Sequence, residues 1–320
     1  MLTFEREHFN FYSLVYIPSL PVGQRWKAVS DCVWDAPNFL TVKTGLADQY
    51  GGDSELSALF QNILGVRDAN FHDFLDELRA RKSPPGMDLA RTTTNIYDKL
   101  WKSISLDADW ALVRSQFEKD HLVYADGRWH PPTSCLWSSP VKIGGKVILQ
   151  GLYHNLQEFF VTKLKIKKAE VGMLVQDLTK KLKAKTPPPP VEVKSLLLKI
   201  AEMLRTERED SGAKDHFNAL KQLSFLPVKL GAGDTYLAGI HSDFAILDHR
   251  QYAEAFSSSI RTLDFSQIEV LKLDPLLTRL GLKARGLSHL VKEKSTAGAS
   301  SSRDDGLTKD FRNRAYAFYW

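Results

Sequence analysis

The sequence predicts an α-rich α+β fold, assembled as a tandem repeat of units of about a hundred residues, two clear and one diverged. Two observations carry this. The chain reads RWKAVSDCVW at residues 25–34 and RWHPPTSCLW at residues 128–137, the same Arg-Trp…Cys-x-Trp frame twice, and these stretches hold both of its cysteines. Around each frame, short β-rich runs give way to longer stretches whose apolar residues recur at helical spacing.

Each unit opens on the end of a helix, where Arg6 and Phe9 match Arg114 and Phe117, 108 residues on. A β-rich segment follows, SLVYIP in the first unit and HLVYAD in the second. The frame itself places Trp26, Cys32 and Trp34 on Trp129, Cys135 and Trp137 at an offset of 103, because the first copy carries the longer loop IPSLPVGQ. An extended piece comes next, FLTVK or KVIL. Three helices close the unit, in the first copy at residues 53–63, 69–81 and 87–104. Phe71, Phe74, Leu75 and Leu78 lie on one helical face. Leu56, Phe60, Leu64, Val66, Ala69, Phe74 and Leu78 fall on Leu156, Phe160, Leu164, Ile166, Ala169, Leu174 and Leu178 at an offset of 100.

The third copy keeps the helices and loses the frame. Leu64-Gly65-Val66 meets Leu280-Gly281-Leu282 at an offset of 216, and Phe71, Phe74 and Glu77 meet Leu287, Leu290 and Glu293. Ser266 and Glu269 form a capping box opening a helix. TYLAG and FAIL, flanking IHSD, read as a hairpin, and LGAGDTY reads as a hairpin turn rather than a phosphate loop. The expected organisation is 1–107, 108–212 and 213–294 as repeat units, 295–306 as a flexible linker, and 307–320 as a truncated aromatic helix that needs a partner surface. The proline run KTPPPPVEVK has its counterpart in KSPPGMDL, so it is expected within a unit, ahead of a helix, and not at a boundary. Both ends of the chain read as cut, which suggests a piece of a longer protein.

Composition excludes several classes. No run approaches eighteen apolar residues, and the charged, aromatic start lacks the order of a secretory signal. Two cysteines cannot make a disulfide framework, so a reducing cytoplasmic or nuclear location is expected. A net charge of +5 and a pI of about 9.0 are mildly basic.

The two thiols could be zinc ligands, a disulfide, nucleophiles or core residues. Zinc needs about four ligands. His130 lies five residues before Cys135, but its counterpart is Lys27, so the repeat does not keep a ligand. A disulfide needs Cα atoms under about 7 Å apart, and no base or oxyanion motif accompanies either cysteine. The expectation is a structural repeat core of Trp26, Cys32, Trp34, Trp129, Cys135 and Trp137, with no catalytic, metal or cofactor-binding residue and no cofactor. The histidines form no ligand motif, and Asp243 and Asp248 read as turn caps. The best binding candidate is an anion-binding patch of Lys163, Lys165, Lys167, Lys168, Lys180, Lys181, Lys183 and Lys185. It has no interleaved aromatics to stack bases.

RWKAVSDCVWDAPNFL, LFQNILGVRDANFHDFLDEL, FLPVKLGAGDTYLAGIHSDFAILDH and the closing LTKDFRNRAYAFYW resemble the large fungal relatives of the plant NO VEIN protein and of sacsin. That resemblance implies a segment downstream of a heat-shock-type, histidine-kinase-like ATPase domain. The helical Glu/Asn box and the Asp-x-Gly-x-Gly loop of that ATPase are absent from this sequence, so its activity does not carry over. What the resemblance implies is a non-catalytic scaffold or interaction region, whose partners are proteins or the remaining domains of the same long chain. The alternative is a basic module that binds nucleic acid or acidic lipid through the lysine-rich second unit.

Overall fold

The computed structural model describes residues 14–83, 88–206, 213–292 and 304–309. Arg6, Phe9, Glu293, most of the expected linker and residues 310–320 lie outside the described residues.

The described chain begins with a hairpin of β1 (Leu14–Tyr16) and β2 (Trp26–Ala28), in the register Tyr16 to Trp26. Two residues of β3 (Cys32–Val33) then pair in parallel with β4 (Thr44–Gly45). The extended piece is therefore shorter than FLTVK suggests and shifted beyond it. Short helices α1 (Ala47–Tyr50) and α2 (Ser54–Ala58) follow, the second capped by the Asp53 carboxylate, which accepts from the Glu55 and Leu56 N–H groups. The helix expected to run to residue 63 changes at Leu59 into a π-helical turn, Leu59–Ile63. Gly65, at φ +68°, ends it in the left-handed region. Helix α3 (Phe71–Ala80) starts on an Asn70/Asp73 capping box.

Helix α4 (Leu89–Ser103) carries the fold forward, since it packs on α3 and on the strand β5 (Val123–Ala125). Helix α5 (Asp107–Lys119) leads to a second hairpin of β5 (Val123–Ala125) and β6 (Arg128–His130). Asp126 and Gly127, at φ +50° and +75°, supply the positive φ angles of a tight two-residue turn. Then β7 (Cys135–Leu136) pairs in parallel with β8 (Val147–Ile148), a π-helical turn spans Glu158–Lys163, and α6 (Val171–Leu182) follows. One core joins Phe74 and Leu78 of α3, Ile96, Tyr97 and Leu100 of α4, Phe117 of α5, and Trp137, Phe159 and Phe160. A smaller cluster of Val15, Ile17, Cys32, Leu46, Phe60 and Val66 lies under the first hairpin.

The chain divides into two compact units. One holds the described residues up to Lys180, with 213–216; the other holds 181–206 and the residues from Phe217 on. This differs from the expected boundary after 212. The physical reason lies in α7 (Pro190–Thr206), which buries Val193, Leu197 and Ile200 and packs on α10 (Gln267–Leu280) and on β9 (Leu226–Leu230). In this smaller unit, α8 (Ala213–Lys221) contributes the buried Phe217 and Leu220. Strand β9 (Leu226–Leu230) is central to an antiparallel sheet, between β10 (Tyr236–Ala238) and β11 (Arg261–Leu263), with α9 (Arg250–Phe256) before β11. The Ser266/Glu269 capping box starts α10 (Gln267–Leu280), and α11 (Leu287–Leu290) follows.

The expected TYLAG–FAIL hairpin does not form. Tyr236–Ala238 pairs with β9, whereas Ala245 and Ile246 bridge in parallel to Thr262 and Gly286. Asp248 then accepts hydrogen bonds from the Ser288 N–H and hydroxyl, a capping role at the start of α11.

Candidate functional site

The Trp/Cys/Trp frames create two closely similar settings. Tyr16 and Trp26 have ring centroids 5.1 Å apart, as do Tyr124 and Trp129. Trp34 lies 6.2 Å from Phe60, and Trp137 lies 6.2 Å from Phe160. The Tyr50 hydroxyl donates to the Tyr16 carbonyl, as Tyr153 does to Tyr124. Each thiol faces the carbonyl four residues before it, Cys32 that of Ala28 at 3.4 Å and Cys135 that of Pro131 at 3.5 Å. Both cysteines are free and buried. One expected core residue is not in the core: Trp26 is 62% exposed. Trp26 lies on β2, where its indole meets the Tyr16 ring across the hairpin, whereas Cys32 and Val33 lie on the separate strand β3 and are both buried.

Neither thiol is poised for chemistry. Burial raises Cys135 from an ordinary value of 9.0 to about 11, against the lowering effects of Ser134 and Lys146. Burial likewise raises Cys32. At neutral pH both are protonated, and a protonated thiol is a poor nucleophile and a poor metal ligand. No three His, Cys, Asp or Glu side chains converge as a metal site among the described residues.

The lysine-rich stretch contributes to the more distinctive feature, a cleft of about 580 Å³ bounded by α5, β7 and the segment after the π-helical turn 158–163. Arg114, Lys146, Lys165 and Lys167 line it, with Glu118 as the single carboxylate and Leu136, Ile166 and Met173 among its apolar wall. Glu118 is engaged by the Thr133 hydroxyl at 2.5 Å, and Lys146 donates to the Thr133 carbonyl at 2.6 Å. Arg114 donates to the Lys163 carbonyl at 3.1 Å. Lys167 pairs with Glu170 at 3.3 Å on an exposed surface. Lys165 has no ion-pair partner among the described residues, and its backbone sits at φ +60°.

A different pairing occupies the stretch after the π-helical turn 59–63. There Arg67 holds Asp73 through two bonds of 2.6 and 3.0 Å. Burial pushes Asp73 up, but the Arg67 hydrogen bond, the Asn70 N–H and nearby cations outweigh it and hold it below the usual carboxylate range. The counterpart of Asp73 is Met173, so the second repeat has cations without that carboxylate.

The eight lysines expected as one patch do not share this cleft. Lys165 and Lys167 line it. Lys163 instead lies over the Trp101 and Trp110 rings at 5.8 and 5.6 Å. Lys168, Lys180, Lys183 and Lys185 are exposed, and Lys181 pairs with Glu192 at 3.3 Å. Arg114 and Lys146 escaped the sequence reading because they lie outside the lysine run. Lys146 matches Lys43, which donates to the Ser30 carbonyl at 2.5 Å, and that shared position was the available clue.

Residues 172–291 match the family model of a domain of unknown function (DUF8348). No curated protein and no solved structure matches the chain. The matched stretch begins within α6 and ends one residue past α11, so it takes in Met173 but not the cationic residues of the cleft. No helix among the described residues is long and apolar enough to cross a membrane.

Proposed function

We propose that the chain is a non-catalytic interaction scaffold, made of tandem copies of one module in which the last helix of each copy seats on the next. The observation that carries this is Tyr97 of α4. Its hydroxyl donates to the Leu122 carbonyl at 2.7 Å and accepts from the Tyr124 N–H at 2.9 Å. Its ring stacks on Phe159 at 5.5 Å and meets Phe160 edge-on at 5.4 Å. A helix of the first repeat thus forms the core of the second. Helix α7 does the same for the third, against β9 and α10.

Two further features support common descent of the copies. The position after each π-helical turn, or after α10, is left-handed in all three: Gly65, Lys165 and Gly281, at φ +68°, +60° and +77°. The family match also runs from α6 to α11, both counterparts of α3, and so spans one period in this phase.

On this reading the chain belongs to a large chaperone-like or regulatory protein of the ATPase family it resembles, with any ATPase in another segment. Its work is to hold protein partners or neighbouring domains, in the cytosol or nucleus. Amide exchange on the full-length Tyr97→Ala variant tests the interlock. Protection is expected to fall in β5, α5 and the 158–163 turn as well as in α4. Loss confined to residues 71–103 would sink the reading.

A second reading has its own observation. The cleft of Arg114, Lys146, Lys165 and Lys167 suits a phosphate-bearing ligand such as nucleic acid or acidic lipid, and Lys165 occupies a backbone conformation that the other copies give to glycine.

A further inference from the structure

The seat that α4 fills in the second module is open in the first. Comparing matched positions, Leu14 is 39% exposed where Leu122 is 0%, and Leu59 is 37% exposed where Phe159 is 1%. Trp34 and Tyr50 are half-buried, where Trp137 and Tyr153 are buried. The backbone is prepared in the same way. Ile17 donates to Arg25 at 2.7 Å, so the neighbouring Tyr16–Trp26 pair is a non-hydrogen-bonded one and the Tyr16 N–H points away from its own ladder. In the second module the equivalent Tyr124 N–H meets Tyr97 of α4.

A further helix start follows the smaller unit's α11 in the sequence. Asp304 caps it, its carboxylate accepting from the Gly306 and Leu307 N–H groups at 2.9 and 3.0 Å, and residues 305–309 are helical. Leu307 is 63% exposed. From there the sequence spaces Leu307, Phe311, Ala315 and Phe318 as α4 spaces Leu89, Thr93, Tyr97 and Leu100, and as α7 spaces Val193, Leu197, Ala201 and Leu204. In both helices that stripe is buried except for the half-buried Leu204, and Tyr97 of α4 reaches residues 122 and 124 of the second module.

We infer that the open face around Leu14, Tyr16 and Leu59 is a docking site for residues 304–320 of a second copy of this chain. The inference rests on the modular reading above and extends it from one chain to two. Such a contact joins different surfaces on the two copies, so it propagates head to tail rather than closing into a two-fold dimer.

Sedimentation velocity of the full chain over a range of concentrations tests this. Mass should grow with concentration beyond that of a dimer. The Phe311→Asp/Phe318→Asp variant keeps the seat and puts charges in place of two apolar residues of the 304–320 segment; the Leu14→Asp/Leu59→Asp variant keeps that segment and puts charges in the seat. Each alone should be monomeric with an unchanged far-ultraviolet circular dichroism spectrum, and an equimolar mixture should form a dimer that grows no further. A monomer at every concentration, or natively folded variants that fail to complement each other, overturns the proposal. A concentration-independent monomer in which Phe311→Asp/Phe318→Asp speeds amide exchange at residues 14–16 and 59–63 would mean that the segment folds back on its own chain, and also overturns it. If docking fails while Tyr97→Ala still unprotects the second module, only the docking is lost; if both fail, the modular reading goes with it.

Discussion

Trp26 and Trp137 occupy positions in the frame that look alike in a sequence and differ sharply in energy. Trp137 is 2% exposed and packs on Phe160, while Trp26 is 62% exposed and touches Tyr16 across the hairpin. Removing a buried indole costs both its transfer free energy and the cavity it leaves. Trp137→Ala should therefore lower stability by about 3–5 kcal/mol, whereas Trp26→Ala should stay within about 0.5 kcal/mol, as is usual for a surface residue. Urea denaturation of the two variants checks both values. Equal losses would mean that the frames are not arranged as described. The buried carboxylates follow the same logic of position. Glu77 is fully buried, yet it accepts from the Thr41 and Val42 N–H groups at 2.6 and 3.0 Å and pairs with Arg81 at 2.6 Å. Its counterpart Asp177 accepts from the Gly144 N–H at 3.0 Å. Each carboxylate pins the loop before the second parallel strand, and a buried charge is tolerated because it is hydrogen-bonded.

At the scale of elements, the left-handed residue after each π-helical turn is where structure and ligand chemistry compete. A side chain at positive φ costs roughly 1–2 kcal/mol relative to the ordinary regions, and glycine avoids that at a smaller entropic cost. Lys165→Gly should therefore raise stability by about 0.5–1 kcal/mol. The same change should weaken heparin retention and flatten its dependence on salt, since one cation leaves the cleft. A destabilised variant with unchanged retention would show that Lys165 serves packing alone. Elements of this kind were legible to different degrees. Helix α3 was readable because its apolar face and its cap are local, and the Ser266/Glu269 box because it lies within four residues. The Asp126-Gly127 turn was equally readable, as a two-residue hairpin signature between HLVY and RWH, and was overlooked. The pairing of Ala245 and Ile246 was not readable, because short parallel bridges to residues 262 and 286 leave no periodicity in the strand itself. The cleft was half legible: a run of lysines is visible, but Arg114 and Lys146 reach it only because α5 packs on the turn 132–134 before β7 and because β8, which follows Lys146, pairs with β7.

At the scale of the whole molecule, the larger compact unit should lose stability on the alkaline side. Five thiols and phenols whose ionisation is pushed up lie in the larger unit: Cys32, Tyr50, Tyr97, Cys135 and Tyr153. Burial is the leading cause in each case. Cys135 rises to about 11, Tyr153 to about 12, and the fully buried Tyr97 well above its ordinary value. A group whose folded value exceeds its unfolded value holds its proton more tightly in the folded state. Its contribution is complete below the unfolded value and is lost as pH rises through the folded one. For Cys135 the window runs from pH 9.0 to about 11. Tryptophan emission isolates the unit concerned, because Trp26, Trp34, Trp101, Trp110, Trp129 and Trp137 all belong to it, and Trp320→Phe removes the remaining one. In that background, the urea midpoint read by tryptophan emission should fall between pH 7 and pH 10.5, with a loss on the order of 1–2 kcal/mol from Cys135 alone. Cys135→Ala should flatten this dependence, because the substituted side chain has no proton to lose. A midpoint that does not move over that range, or moves equally in Cys135→Ala, would mean that the thiol is not held in the apolar core that joins α4 to the second module.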